Sequence, residues 1–142
     1  MTDESLRSVE LERTKVGEYE ARNVRGGVIT VGAGDDASFT PVELLLAALG
    51  GCTAIDVDLV ASRRAEPARF VVRARADKVR GDGGVNKLEN IELEFDIVFP
   101  AGADGDRARE AVPRLLRQSH DRLCTVTRTV ELGTPVSTFQ RH

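Results

Sequence analysis

Two cysteines, Cys52 and Cys124, are the residues of this 142-residue chain best suited to covalent chemistry, because a thiolate is both a nucleophile and a reductant. About half the chain separates them, so they form no CxxC pair, no zinc spacing and no disulfide-dense scaffold. Their roles must be argued from their neighbourhoods. Cys52 lies in a near-apolar run, residues 44–57, where helical counting places Leu45, Ala48, Leu49, Ile55 and Leu59 on or beside its face. One reading is a buried cysteine acting as a small, unreactive hydrophobe. The other is a thiol reached through the gap at Gly50-Gly51, since each glycine costs a helix about 1 kcal/mol relative to alanine and so implies a close approach by a backbone or a partner chain. Cys124 has His120 four residues before it and Arg128 four after, which on a continuous helix would line the thiol with a titratable base and a fixed cation. The alternative is that His120, Asp121 and Arg122 form a solvated helix end. Glu43 reads as a helix-capping residue, with a catalytic carboxylate as the second reading. Arg25 precedes Gly26-Gly27 in a loop, where an arginine is more often solvated than part of a site.

The elements that must position these residues are legible in outline. Within residues 8–31, three short stretches predict antiparallel strands: Val9, Leu11 and Arg13, then Tyr19 and Ala21, then residues 28–31. Thr40-Pro41-Val42-Glu43 is a capping box that opens a helix over about residues 41–64, apolar enough to be buried on most sides. Residues 68–78 and 88–99 alternate apolar and charged positions and predict two half-buried strands joined through Gly81-Asp82-Gly83-Gly84. Helical spacing returns over residues 104–123, where Pro113 is expected to kink the helix or start a new turn. Residues 125–132 fit a short helix or a strand, and a final strand is expected at residues 136–139. The order is α+β, with antiparallel sheets and a central buried helix in a single domain spanning residues 1–142.

Composition narrows the function. With 41% hydrophobic and 30% charged residues the chain has the makeup of a folded globule. A net charge of -3 argues against nucleic acid as a partner. The apolar run is interrupted by Gly50, Gly51 and Asp56 and falls short of the about 20 residues a bilayer requires, so no membrane association is expected. The start Met1-Thr2-Asp3-Glu4-Ser5 is acidic and lacks the apolar stretch of a secretory signal, which points to the cytoplasm. GxGxxG, Walker, HExxH and GxSxG patterns are missing, so neither a nucleotide cofactor nor a metal is expected.

The segment Pro41-Val42-Glu43-Leu44-Leu45-Leu46-Ala47-Ala48-Leu49-Gly50-Gly51-Cys52-Thr53-Ala54-Ile55-Asp56-Val57, followed much later by Leu123-Cys124-Thr125-Val126-Thr127-Arg128-Thr129, resembles the OsmC/Ohr superfamily of thiol-dependent peroxidases. The likeness runs over about residues 19–139 and is strongest to the OsmC-like branch. It implies an α+β fold in an intertwined homodimer with active sites at the dimer interface. It further implies that Cys52 attacks the O–O bond of an organic hydroperoxide to become a sulfenic acid. Cys124 would then resolve it as a disulfide, and a thiol or dithiol reductant would restore both. The peroxidase branches carry a glutamate ten residues before the cysteine to orient an arginine against the thiolate. Val42 stands at that position here and Glu43 one residue on, a step of about 100° around a helix. Arg25 is the first choice for the activating cation, ahead of Arg22 and Arg128. The alternative implied function is a non-enzymatic member that binds a small apolar ligand or senses redox state.

Overall fold

The computed structural model describes residues 4–142, so Met1, Thr2 and Asp3, part of the acidic start behind the cytoplasmic expectation, lie outside the described residues. The chain divides into two compact units, Met1–Leu45 and Leu46–His142. In the first unit, β1 (Glu10–Lys15), β2 (Glu18–Arg22) and β3 (Val28–Val31) form an antiparallel sheet in that order. Gly17 makes the first reversal at φ 75°, a backbone region that favours glycine. Asn23 closes the second: its carboxamide oxygen accepts from the backbone N–H groups of Arg25 and Gly27 at 2.9 and 3.0 Å, which places Arg25 on an exposed turn. All six residues of β1 are exposed, so the alternation at Val9, Leu11 and Arg13 marks a strand without marking a buried face.

Helix α1 (Pro41–Ala61) starts at the capping box. The Thr40 N–H donates to Glu43 Oε1 at 2.9 Å and the Glu43 N–H donates to Thr40 Oγ1 at 3.2 Å, satisfying two helix-start donors reciprocally. The helix ends at Ala61, three residues before the expected position, in a turn where Arg64 N–H donates to the Ala61 carbonyl. The expectation of burial on most sides is corrected. Leu49, Gly50, Thr53, Val57 and Ala61 form one buried stripe, while Ile55 and Leu59 are 60% and 64% exposed. Apolar composition alone does not report which faces find a neighbour. At 21 residues α1 is also longer than its apolar run suggested, and by length and composition it is apolar enough to cross a membrane, a test that a core helix passes equally. Its Asp56 carboxylate accepts a hydrogen bond from Ser119 Oγ at 2.8 Å, a protein partner of the kind a carboxylate needs.

In the second unit β4 (Arg69–Arg80) and β5 (Asn86–Val98) form a long antiparallel hairpin. Phe70, Val72 and Ala74 pair with Ile97, Phe95 and Leu93 on one face. The other face carries Arg69–Asp96 at 2.8 Å and Arg75–Glu92 at 2.7 Å, as the alternation of apolar and charged residues foretold. Gly50 on α1 faces that apolar side: a Cβ there would lie 3.2 Å from Val72 Cγ1, so the glycine permits a close helix–sheet approach, whereas Gly51 beside it looks into open space. Helix α2 (Ala103–Gln118) packs Ala108, Ala111 and Leu115 with Val57, Ala61 and Phe99 into the core.

Pro113 does not end α2. The irregularity falls later, at residues 119–123, where a widened π-turn is closed by Cys124 N–H donating to the Ser119 carbonyl at 2.8 Å. Helix α3 (Thr125–Leu132) settles the helix-or-strand ambiguity and ends at Gly133, φ 64°. The expected strand at residues 136–139 does not form. Val136 and Phe139 are 88% and 93% exposed, and their β propensity is not matched by pairing to any strand edge.

Candidate functional site

Both cysteines are free thiols, and the second unit brings them together. Cys52 sits in the middle of α1, partly exposed, while Cys124 is fully buried at the N-cap of α3. Each thiol acts on the other's ionisation, which makes the two sulfurs neighbours. Cys124 Sγ also accepts the Thr127 N–H at 3.3 Å, a sulfur version of a helix N-cap. Thr53, one residue after Cys52, and Thr127, three after Cys124, are both buried beside the pair.

These surroundings treat the two thiols oppositely. Burial pushes the Cys52 thiol above the ordinary cysteine range, and the hydrogen bond to Cys124 together with the negative charges of Cys124 and Asp56 push it the same way; the Val126 N–H offers the opposing pull. Burial pushes the Cys124 thiol up as well, but Cys52, the Thr127 hydroxyl and N–H, and Thr53 together outweigh it and bring Cys124 below that range. Thr127 Oγ1 is buried with no directional hydrogen-bond partner, so its hydroxyl acts on Cys124 as a nearby dipole.

His120 and Arg128 are held by partners other than the thiols. Because Cys124 marks the junction between the π-turn and α3, no continuous helix lines it with His120 and Arg128. His120 is exposed and faces Asp121 at 2.9 Å and Glu131 at 3.3 Å, and Arg128 pairs with Glu131. The solvated-end reading therefore describes this segment. Glu43 is engaged in the capping box, and Arg25 lies on the Asn23 turn. Sequence reading missed Thr53, Thr127 and the Asp56–Ser119 bond. A cysteine followed three residues later by threonine at a helix start was the available signal for Thr127. Among the described residues no group of three or more His, Cys, Asp or Glu side chains could hold a metal. A cavity of about 370 Å³ lies alongside, with Thr53 and Thr127 on its wall among Leu49, Leu93, Phe95 and Leu116, and with His120 and Glu131 as its charged members.

The exposed imidazole has a pH signature of its own. The hydrogen bond to Asp121, opposed by slight desolvation and aided by Glu131, raises the His120 pKa above its ordinary value. A group so raised stabilises the fold fully below its unfolded value, about 6.5, and that stabilisation disappears as pH rises through the folded value. Urea midpoints measured from pH 5 to 9 are therefore expected to converge for wild type and His120→Ala on the alkaline side and to separate on the acidic side, wild type being higher. Separation that grows with pH instead would contradict the geometry.

An α+β chain with one free thiol within a long helix and a second at the start of another defines the class to compare. The OsmC-like protein family model matches residues 34–139, and the chain belongs to that family. It is 31% identical over 129 residues to an uncharacterized protein of Mycobacterium tuberculosis, covering 89% of this chain and 90% of that one. In fold it is similar to an OsmC-like protein of unknown function from Vibrio cholerae, with TM-score 0.74, 16% identity and coverage of 89% and 94%. It is also similar to an organic hydroperoxide resistance protein OsmC from Legionella pneumophila, with TM-score 0.59, 13% identity and coverage of 89% and 90%.

Proposed function

We propose that this protein is a thiol-dependent peroxidase that reduces organic hydroperoxides as a cytoplasmic homodimer. The observation that carries this reading is a partly exposed Cys52 with a buried Cys124 as its neighbour, each acting on the other's ionisation. Cys52 Sγ attacks the terminal oxygen of the hydroperoxide, the O–O bond breaks, the alcohol leaves and Cys52 becomes a sulfenic acid. Cys124, whose surroundings favour the thiolate, attacks that sulfur, water leaves and a disulfide forms. A thiol or dithiol then reduces it.

Two features support the assignment. The apolar cavity next to the thiols is of a size to take a small hydrocarbon substituent, and the Legionella pneumophila relative of this fold is a hydroperoxide resistance protein. The exposed apolar face of α1, at Ile55 and Leu59, supports a homodimer, since burial of such a face stabilises association. Cys52 needs a cation to become nucleophilic at neutral pH, and we assign that work to Arg25 with Glu43 as its orienting carboxylate.

Intact mass spectrometry tests the chemistry directly. One equivalent of cumene hydroperoxide should convert the reduced protein to a species lacking two hydrogens, with Cys52 and Cys124 in one cross-linked peptide, and a dithiol should reverse it. Oxidation that stops at sulfenic acid, or no oxidation, would count against the resolving role or against the enzyme respectively.

A further inference from the structure

We propose that, in the oxidised protein, the incoming reductant thiol attacks Cys52 Sγ and that Cys124 departs as the leaving thiolate. This deepens the peroxidase reading and rests on its disulfide. Two independent features select the same direction. The first is access: Cys52 is partly exposed, and beside it a Cβ at Gly51 would meet no heavy atom within 4 Å beyond its chain neighbours and its own helix backbone. Cys124 is 0% exposed, enclosed at the start of α3. A nucleophile must approach a disulfide sulfur along the S–S axis from outside, so only the Cys52 end is open to it.

The second feature is the quality of the leaving group. When the S–S bond breaks, its electron pair must settle on one sulfur, and departure is faster from the sulfur that holds negative charge better. Cys124 Sγ already has the Thr127 N–H aimed at it at 3.3 Å, with Thr53 close by. Cys52 has the Asp56 carboxylate one helical turn ahead, which opposes negative charge there. The alternative direction would place charge on the worse-supported sulfur while requiring attack on the enclosed one.

The step balances simply. A thiolate RS⁻, its proton having gone to solvent, forms a new S–S bond with Cys52 while the Cys52–Cys124 bond breaks, its electron pair moving to Cys124. A second thiol, or the second sulfur of a dithiol, attacks the R sulfur. Cys52 leaves and takes up a proton, and the reductant departs as its disulfide. Thr127 acts as a positioning residue through its backbone N–H, without touching the reductant.

The test uses the full chain, oxidised with cumene hydroperoxide, then pulsed with 2-mercaptoethanol, quenched in acid and alkylated with N-ethylmaleimide before peptide mapping. The expected product carries mercaptoethanol on Cys52 and maleimide on Cys124. Mercaptoethanol found mainly on Cys124 overturns the proposal. Where the hydroperoxide makes no disulfide but diamide does, the peroxidase reading fails while the same mapping on the diamide-oxidised protein still decides the direction of cleavage. A chain that neither oxidant bridges overturns both. Thr127→Pro, which deletes the N–H at the third helical position together with the hydroxyl, adds a kinetic arm: reduction should slow as Cys124 acidity is lost, with that acidity read by thiolate absorbance in a Cys52→Ser background. Unchanged reduction despite weakened acidity would remove Thr127 from the role.

Discussion

Cys52→Ser is expected to lower hydroperoxide consumption in the presence of a dithiol by on the order of a thousandfold or more, to the level of the uncatalysed reaction, because a serine hydroxyl at this site has no means of ionising. Cys124→Ser should behave differently. The first attack on the peroxide does not require the second sulfur, so this variant should be oxidised once and hold a sulfenic acid at Cys52 that dimedone captures. Stopped-flow peroxide consumption with both variants separates the roles, and wild-type turnover in Cys52→Ser would remove Cys52 from the mechanism. Glu43→Gln is the informative companion. It keeps an oxygen to accept the Thr40 N–H, so loss of activity in that variant reports the carboxylate charge and not the helix start. Arg25→Ala probes the assigned cation in the same assay. Its backbone N–H still reaches Asn23, so the turn is retained.

The largest effect on stability is expected away from the thiols. Phe99 is 4% exposed and packs with Val57, Ala61, Ala108, Ala111 and Leu115 where α1, the end of the hairpin and α2 meet. Phe99→Ala removes a ring from that cluster and should cost about 3–5 kcal/mol through lost transfer energy and the cavity left behind. Gly105 shows how little slack the region has. A Cβ there would stand 1.8 Å from the Pro100 carbonyl oxygen and 3.6 Å from Phe99 Cβ, so the chain around Phe99 has little room to collapse into a void. Equilibrium urea unfolding checks the value, with Leu132→Ala as the control: at 74% exposure it should shift stability by no more than about 0.5 kcal/mol. A loss below about 1 kcal/mol for Phe99→Ala would mean that this cluster is not where the second unit's stability resides.

The hairpin and the helix start show why some of this chain could be read directly. Strict alternation at Phe70, Val72, Ala74, Leu93, Phe95 and Ile97 can satisfy a pleated sheet with one apolar face in a single way, and the Thr40-Pro41-Val42-Glu43 box bonds within four residues of itself. Such patterns depend on local geometry, which the order of residues carries. The π-turn at residues 119–123 was not legible, because the Ser119 Oγ bond to Asp56 within it depends on which helix turn lies opposite. Of the two readings of His120, Cys124 and Arg128, the continuous helical line does not form and the solvated end does, because helical spacing continues on paper through a turn that the chain in fact widens.

The amino-acid order by itself determined the α+β pattern, the family resemblance and the identity of the two thiols, since strand alternation, helix capping and motif spacing are properties of neighbours along the chain. Only the tertiary structure decided that Cys52 and Cys124 meet, that Cys124 is the better-supported anion, and that α1 leaves Ile55 and Leu59 uncovered. A thiol's charge preference is the sum of desolvation and the donors aimed at it, and while Thr127 reaches the Cys124 sulfur within one helix start, Thr53 on α1 and Cys52 reach it only after segments distant in sequence have packed.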